Sequence, residues 1–265
     1  MLIIVPSSET KRPAPSRGRP VDLGALSFPA LAGVRERVLD ALVATSTGPD
    51  ALSRLRVTPV MGAEVARNTR LRDLVARPAL EVYAGTLHDA LDADSLSTAA
   101  RRRALRRVVI ASSLWGLLRP GDRIPPYRLD ICSRLVGIDG LEATWRTVLP
   151  DVLAEAAGPR GVIVDLRSGG YRTCGMPAGL GDRTVVLAVA CDNPARRPGN
   201  VFVKRARGLA ARHLLETGAD PRHPAALAAA LGERWPVRLA SPSTRGGPWT
   251  LTVVLPADGG DVARG

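Results

Sequence analysis

Lysine is nearly absent from this chain. Of 37 basic residues only Lys11 and Lys204 are lysine, and the other 35 are arginine. Aromatic residues make up 3%, too few for a platform on which single-stranded bases stack along a groove. The cysteines number three (Cys132, Cys174, Cys191), an odd and widely spaced set without a CxxC pair. That pattern excludes a disulfide framework and a thiolate zinc site, and it points to a reducing cytoplasm. His88, His213 and His223 are scattered without ligand spacing, so no metal is expected. No GxSxG elbow, P-loop, HExxH or strand-borne GxGxxG occurs, so no cofactor is expected either. No window approaches the roughly 18 apolar residues of a membrane span. The opening MLIIVPSSETKRP has no basic region before its apolar residues, so it reads as a first buried strand and not as a secretory signal.

What the chain does have is charge and core. Its 265 residues carry a net charge of +12, with 45% hydrophobic residues. A basic excess of this size implies an acidic partner, either double-stranded DNA or an anionic small molecule. An arginine-loading genome produces the same bulk charge with no partner at all. The two lysines are more specific. Where arginine replaces lysine throughout, the exceptions mark sites that need a compact ammonium.

Periodicity predicts a mixed α/β fold. A strand over 2–5 precedes a Ser-, Pro-, Arg- and Gly-rich loop, and Ser27 reads as the N-cap of a helix. A helical pattern covers 62–76, LEVYAG (80–85) looks like a short strand, and 86–91 and 97–107 are helical. VVIASS follows as a buried strand. Residues 140–158 read as one helix, 161–168 and 184–191 as strong strands, and 203–218 and 224–235 as helices. VRLAS and WTLTVVLP close the chain as an antiparallel pair. No repeat or linker divides it. The expectation is one compact domain over 1–256, a mixed, partly antiparallel sheet flanked by helices, with a flexible tail over 257–265. A monomer is expected.

Polar clusters follow the predicted strands, where α/β sheets gather ligands. Pro6-Ser7-Ser8-Glu9-Thr10-Lys11 follows the first. Arg167-Ser168-Gly169-Gly170-Tyr171-Arg172 follows another, either a plain tight turn or a place where backbone N–H groups approach an anion. After VVIASS, Pro120, Pro125 and Pro126 stiffen a segment bearing Arg119, Tyr127 and Arg128, one wall of an anion site. Lys204, Arg205 and Arg207 fall in the first turns of a predicted helix, where the dipole disfavours cations by roughly 0.3–1 kcal/mol each. They read as a solvated basic face or as the completion of an anion site at the helix N-terminus. The candidate anion- or DNA-binding residues are therefore Ser8, Lys11, Arg119, Tyr127, Arg128, Arg167, Ser168, Tyr171, Lys204, Arg205 and Arg207. If the chain is an enzyme, Lys204, Lys11 and Tyr127 are the catalytic candidates. A thiol sensor built on Cys174, two residues from Arg172, is a third reading.

Four stretches resemble the YaaA family of peroxide-stress proteins: PSSETK, VYAG (82–85), ASSLWGLLRPGDRIPPYRLD (111–130) and VKRARGLAARHLLE (203–216), with DLRSGGY (165–171) matching a fifth position. The match spans residues 1–217. The resemblance implies a compact α/β fold with a basic cleft, a role in surviving peroxide by limiting free iron, and DNA binding through a helix-hairpin-helix element. Ser113, Trp115 and the Phe202-Val203 pair depart from the family pattern. They make the cleft mouth more apolar and leave room for a specialised small-molecule activity.

Overall fold

A computed structural model describes residues 1–193, 195 and 197–256. Its strands are β1 (Leu2–Pro6), β2 (Arg77–Pro78), β3 (Val108–Ser112), β4 (Gly116–Leu118), β5 (Arg123–Ile124), β6 (Ile163–Asp165), β7 (Thr184–Cys191), β8 (Val237–Ala240) and β9 (Trp249–Leu255). The helices are α1 (Ala32–Thr47), α2 (Ala51–Arg54), α3 (Gly62–Asn68), α4 (Ala79–Val82), α5 (Thr86–Leu91), α6 (Thr98–Arg107), α7 (Leu141–Arg146), α8 (Leu149–Ala157), α9 (Gly169–Arg172), α10 (Asn200–Thr217) and α11 (Pro224–Gly232).

Seven strands form one sheet in the order β4-β3-β1-β6-β7-β9-β8. The five inner strands are parallel, and β4 and β8 run antiparallel at the two edges. Runs such as LIIV and VVIAS are apolar or small throughout and buried throughout, as strands covered on both faces must be. The parallel strands follow the order 2-1-3-4-5: the chain leaves β1 for β3 on one side, then returns to β6 on the other. That reversal opens a crevice at the carboxyl ends of β1 and its neighbours, the place where such sheets bind ligands. Helix α10 closes against α5 because Gly208 has no side chain. A Cβ there would collide with the Leu87 carbonyl. Arg103 and Arg107 of α6 donate to the Leu215 and Ala219 carbonyls, satisfying acceptors at the end of α10.

Several elements differ from the periodic reading. Ser27 caps nothing; its hydroxyl donates to Asp122 (2.7 Å), and the first helix begins at Ala32 after a turn of 3-10 helix. The helix expected to reach residue 76 stops at Asn68, whose buried amide clamps the backbone N–H and C=O of Arg128. LEVYAG is not a strand. The Ala79 and Leu80 N–H groups donate to the Asp122 and Pro120 carbonyls, which starts a helical turn, and only Tyr83 bridges to Lys11. The 140–158 segment breaks after Arg146, and Pro150 stands in the first turn of the new helix, where a missing N–H costs nothing. The closing antiparallel pair is present as β8 and β9. The expected tail over 257–265 lies outside the described residues.

Candidate functional site

At the carboxyl ends of β1 and β6 lies a cleft of about 580 Å³. Ser7 to Thr10 form one wall, Ser168, Gly170 and Tyr171 a second, and Asn200, Val203, Lys204 and Arg207 of α10 a third. Residues 85–88 and 130–132 complete it. Gly85 permits the tight meeting of β1's loop with α5: its φ is +97°, and a Cβ would stand 2.9 Å from the Ser8 hydroxyl.

Beneath the cleft is a layer of hydroxyl groups. All three tyrosines of the chain contribute to it. The Tyr171 hydroxyl bonds Ser7 Oγ (2.8 Å), while the Tyr127 hydroxyl bonds Ser112 Oγ (2.7 Å) and the Tyr83 hydroxyl (3.0 Å). Burial raises all three phenols above their ordinary range, so each remains a neutral donor. Ser113, where the resembling family carries glycine, donates to the Leu129 carbonyl (2.8 Å) and fixes the returning loop.

Lys11 stands beside this layer. Its Nζ donates to the Ser8 carbonyl (2.8 Å) and the Glu9 carbonyl (3.2 Å) and lies 4.1 Å from the centre of the Tyr127 ring. Those carbonyls and the ring favour an ammonium, yet burial and the nearby Arg128 guanidinium outweigh them and lower the amine to about 7. Arg128 pairs with Glu9 (2.7 Å) and faces Glu64 (3.8 Å). Desolvation, followed by the Asp130 side chain, raises the Glu9 carboxyl. His88 presents Nε2 to the Pro6 carbonyl (3.0 Å), and burial lowers it to about 4, so the imidazole is neutral at pH 7.

The candidates divide by depth. Ser8, Ser168, Tyr171, Lys204 and Arg207 line the cleft. Lys11 and Tyr127 lie one layer behind it, and Arg128 reaches it through Glu9. Three candidates do not meet it. Arg167 turns inward: both it and Asp165 are fully buried, paired at 2.7 and 2.9 Å, and its remaining N–H groups donate to the Tyr171 and Gly175 carbonyls. It braces the β6 loop and has no donor left for a ligand. Arg119 leaves from β4, which runs antiparallel to β3 and carries it back toward the amino ends of the strands; there it donates to the Arg106 carbonyl and packs on Phe28. The proline-rich loop therefore presents Tyr127 and Arg128 together, but not Arg119. Arg205, one residue past Lys204, is turned off the lining by the helical step.

Helix α10 begins at Asn200, so Lys204 stands in its second turn, beyond the reach of the strongest dipole penalty. The lining charges are also more balanced than a basic cleft requires, with Glu9 and Asp130 facing Lys204 and Arg207. The thiol reading fails for Cys174, because burial pushes its thiol up to about 12 and Arg172 donates instead to the Arg167 carbonyl. All three cysteines are free, and no group of three or more His, Cys, Asp or Glu residues stands ready for a metal among the described residues. Sequence reasoning named the stretches that hold Ser7 and Asp130 without choosing those residues, and it passed over His88 and Asn200, which nothing in residue type or spacing marked.

The family model described as "Peroxide stress protein YaaA" matches residues 1–236. A UPF0246 protein of Streptomyces coelicolor is 41% identical over 259 residues, covering 96% of this chain and 98% of its own length. Another UPF0246 protein, from Corynebacterium efficiens, is 40% identical over 218 residues, 81% of this chain and 84% of its own. A third, from Shewanella sediminis, is 35% identical over 147 residues, or 53% and 57%.

Proposed function

The chain belongs to the YaaA family of peroxide stress proteins, and on that premise we propose that its cleft binds an anionic small molecule and acts on it by proton transfer at Lys11. The observation that carries this reading is the Lys11 amine, lowered to about 7 and held one hydrogen bond behind the lining. Such an amine exists in both protonation states near neutral pH, the condition under which a general acid or base works best. The volume of 580 Å³ fits a small molecule. Lys204 and Arg207, with Asn200 at the start of α10, supply the anion-holding end. Tyr171 and Ser7 offer neutral donors on the floor. The test is to incubate the full chain with a panel of phosphorylated and carboxylated metabolites and follow their consumption by mass spectrometry. Turnover lost in Lys11→Met supports the reading; equal turnover in that variant, or none with any metabolite, overturns it.

A second reading, duplex DNA binding in peroxide stress, draws on the net charge of +12 and the family's description. A duplex does not enter a 580 Å³ cleft, so surface arginines would hold its backbone. Affinity would then fall with salt with a slope of roughly −0.9 per phosphate neutralised. An affinity that stays level between 50 and 200 mM salt, the range over which about 10³-fold losses are ordinary, excludes it. The iron-limiting role that the resemblance implies is tested separately, by comparing survival under peroxide of cells with and without the protein; equal survival overturns it.

A further inference from the structure

A second cavity of about 520 Å³ is lined by Asp50, Ser53, Arg54, Arg56 and Arg134. Its charge is lopsided. Asp50 is the one carboxylate on the lining, and it is already bonded to Arg54 Nε at 2.6 Å. Among the described residues, Arg56 and Arg134 have neither an ion pair nor a side-chain hydrogen-bond partner. Three guanidinium groups gathered around one neutralised carboxylate repel one another unless an anion joins them.

The backbone holds this cluster together. The Arg134 N–H donates to the Arg54 carbonyl (2.9 Å), Ser133 Oγ donates to the Leu55 carbonyl (3.3 Å), and the Arg56 N–H donates to the Ser53 carbonyl (3.1 Å). Arg56 adopts a left-handed conformation (φ 57°). A non-glycine residue kept there is a local strain of the kind that accompanies binding sites.

The two linings approach each other along the chain. Asp130, Ile131 and Cys132 line the cleft, and Arg134 lines the arginine cavity. Two residues of chain span at most about 7 Å. Burial and the Asp130 carboxylate raise the Cys132 thiol, and Arg56 lies near enough to oppose them. An extended ligand seated in the cleft at Cys132 would have its far end within reach of Arg134.

We infer that the arginine cavity is a subsite for a phosphate or diphosphate arm, so that the substrate class is a phosphorylated small molecule whose reacting end sits in the cleft. The planar forks of Arg54, Arg56 and Arg134 suit phosphate oxygens. This inference rests on the proposed small-molecule reading of the cleft and supplies its substrate class.

Inorganic pyrophosphate is the probe, with the full chain and the double variant Arg56→Ala/Arg134→Ala. Both positions are exposed, so an unchanged thermal midpoint is expected. Calorimetry should show pyrophosphate affinity falling about tenfold or more in the variant, as the loss of charged hydrogen bonds predicts. Iodoacetamide labelling of Cys132, read by peptide mass spectrometry, should slow with pyrophosphate in the unaltered protein and not in the variant. Absence of pyrophosphate binding, equal affinity in the two proteins, or protection of Cys132 that survives the double substitution overturns the subsite. If the variant loses affinity for duplex DNA while keeping pyrophosphate, the cluster belongs to a nucleic-acid surface and the inference is wrong. The cleft reading is judged separately, by turnover in Lys11→Met, so either can fail alone.

Discussion

Lys11 and Lys204 are the chain's only lysines and serve the same cleft, yet they are different chemical objects. Lys11 is half-buried on the floor, gripped by two carbonyls above a tyrosine ring, with its amine lowered to about 7. Lys204 is exposed on the rim, one face of α10, with no ion-pair partner among the described residues. The arginines repeat the contrast: Arg167 is saturated by Asp165 and backbone carbonyls, while Arg134 stands open to solvent. Residue type decides which chemistry is available, and depth decides which is used. The floor groups are engaged by the protein's own atoms, and Lys204 and Arg134 are open to solvent.

The largest effect should come from breaking the deepest pair. Arg167→Met leaves Asp165 fully buried without a counter-ion, which costs about 3–5 kcal/mol of folding stability. Arg134→Met, on the rim, should stay within about 0.5 kcal/mol. Urea denaturation of both variants measures the difference directly. Losses of similar size would mean that depth does not separate the two groups of residues.

Next in size is the pH signature of Lys11. Its folded-state value of about 7 is below the ordinary 10.5, so between these values the unfolded chain holds a proton that the native chain lacks. Stability therefore rises with pH in this window and is lost as pH falls toward 7. The slope from one such group is at most about 1.4 kcal/mol per pH unit, and partial exposure of Lys11 reduces it. Above pH 10 the raised tyrosines act in the opposite sense, so the useful window is about pH 7 to 9.5. Lys11→Met should flatten the rise there, and Lys204→Met should leave it intact. A rise that persists in Lys11→Met assigns it to another group.

His88 supplies the acid counterpart. Burial holds it at about 4 against an ordinary 6.5, so as pH falls through that range the unfolded chain gains a proton that the native chain excludes. Stability drops by about 3 kcal/mol at most. His88→Gln should remove most of this acid sensitivity, as read from urea midpoints at pH 4.5 and 6.5. An unchanged acid profile would show that His88 takes up its proton as readily in the native state as in the unfolded one.

How much of this was legible in the sequence follows the same division by depth. The strands were legible because β1, β3 and β6 are buried on both faces and therefore read as unbroken apolar runs. The loops after them were legible as cleft-lining because the crevice of such sheets opens at the carboxyl ends of the strands. What escaped depended on contacts between distant segments. Nothing in LEVYAG says that Pro120 and Asp122 will capture the Ala79 and Leu80 N–H groups and turn a strand-like pattern into helix. Nothing in GVIVDLRS says that Asp165 will absorb Arg167. Arg119 was misplaced because its position depends on β4 reversing direction, a matter of pairing and not of composition. The scarcity of lysine singled out Lys11 and Lys204 alike, and nothing in the sequence told the half-buried one from the exposed one.

The smallest effect on stability, and the sharpest test of the division, belongs to Lys204. Because α10 starts at Asn200, Lys204 occupies the second turn and carries little of the dipole penalty that the sequence implied. Lys204→Ala should change stability by no more than about 0.5 kcal/mol. Its effect should appear instead in affinity for the anionic ligand, a weakening of about tenfold for one lost charged contact. Lys204→Arg should be nearly silent if the rim only holds an anion, since a guanidinium serves that purpose at least as well. Lys11→Arg should abolish turnover, because a guanidinium does not lose its proton near neutral pH. The pair of lysine-to-arginine variants therefore compares floor and rim with the charge kept constant. If Lys204→Arg proves as damaging as Lys11→Arg, with the KM for substrate unchanged and kcat lost, then the exposed lysine transfers the proton and the buried one positions the loop.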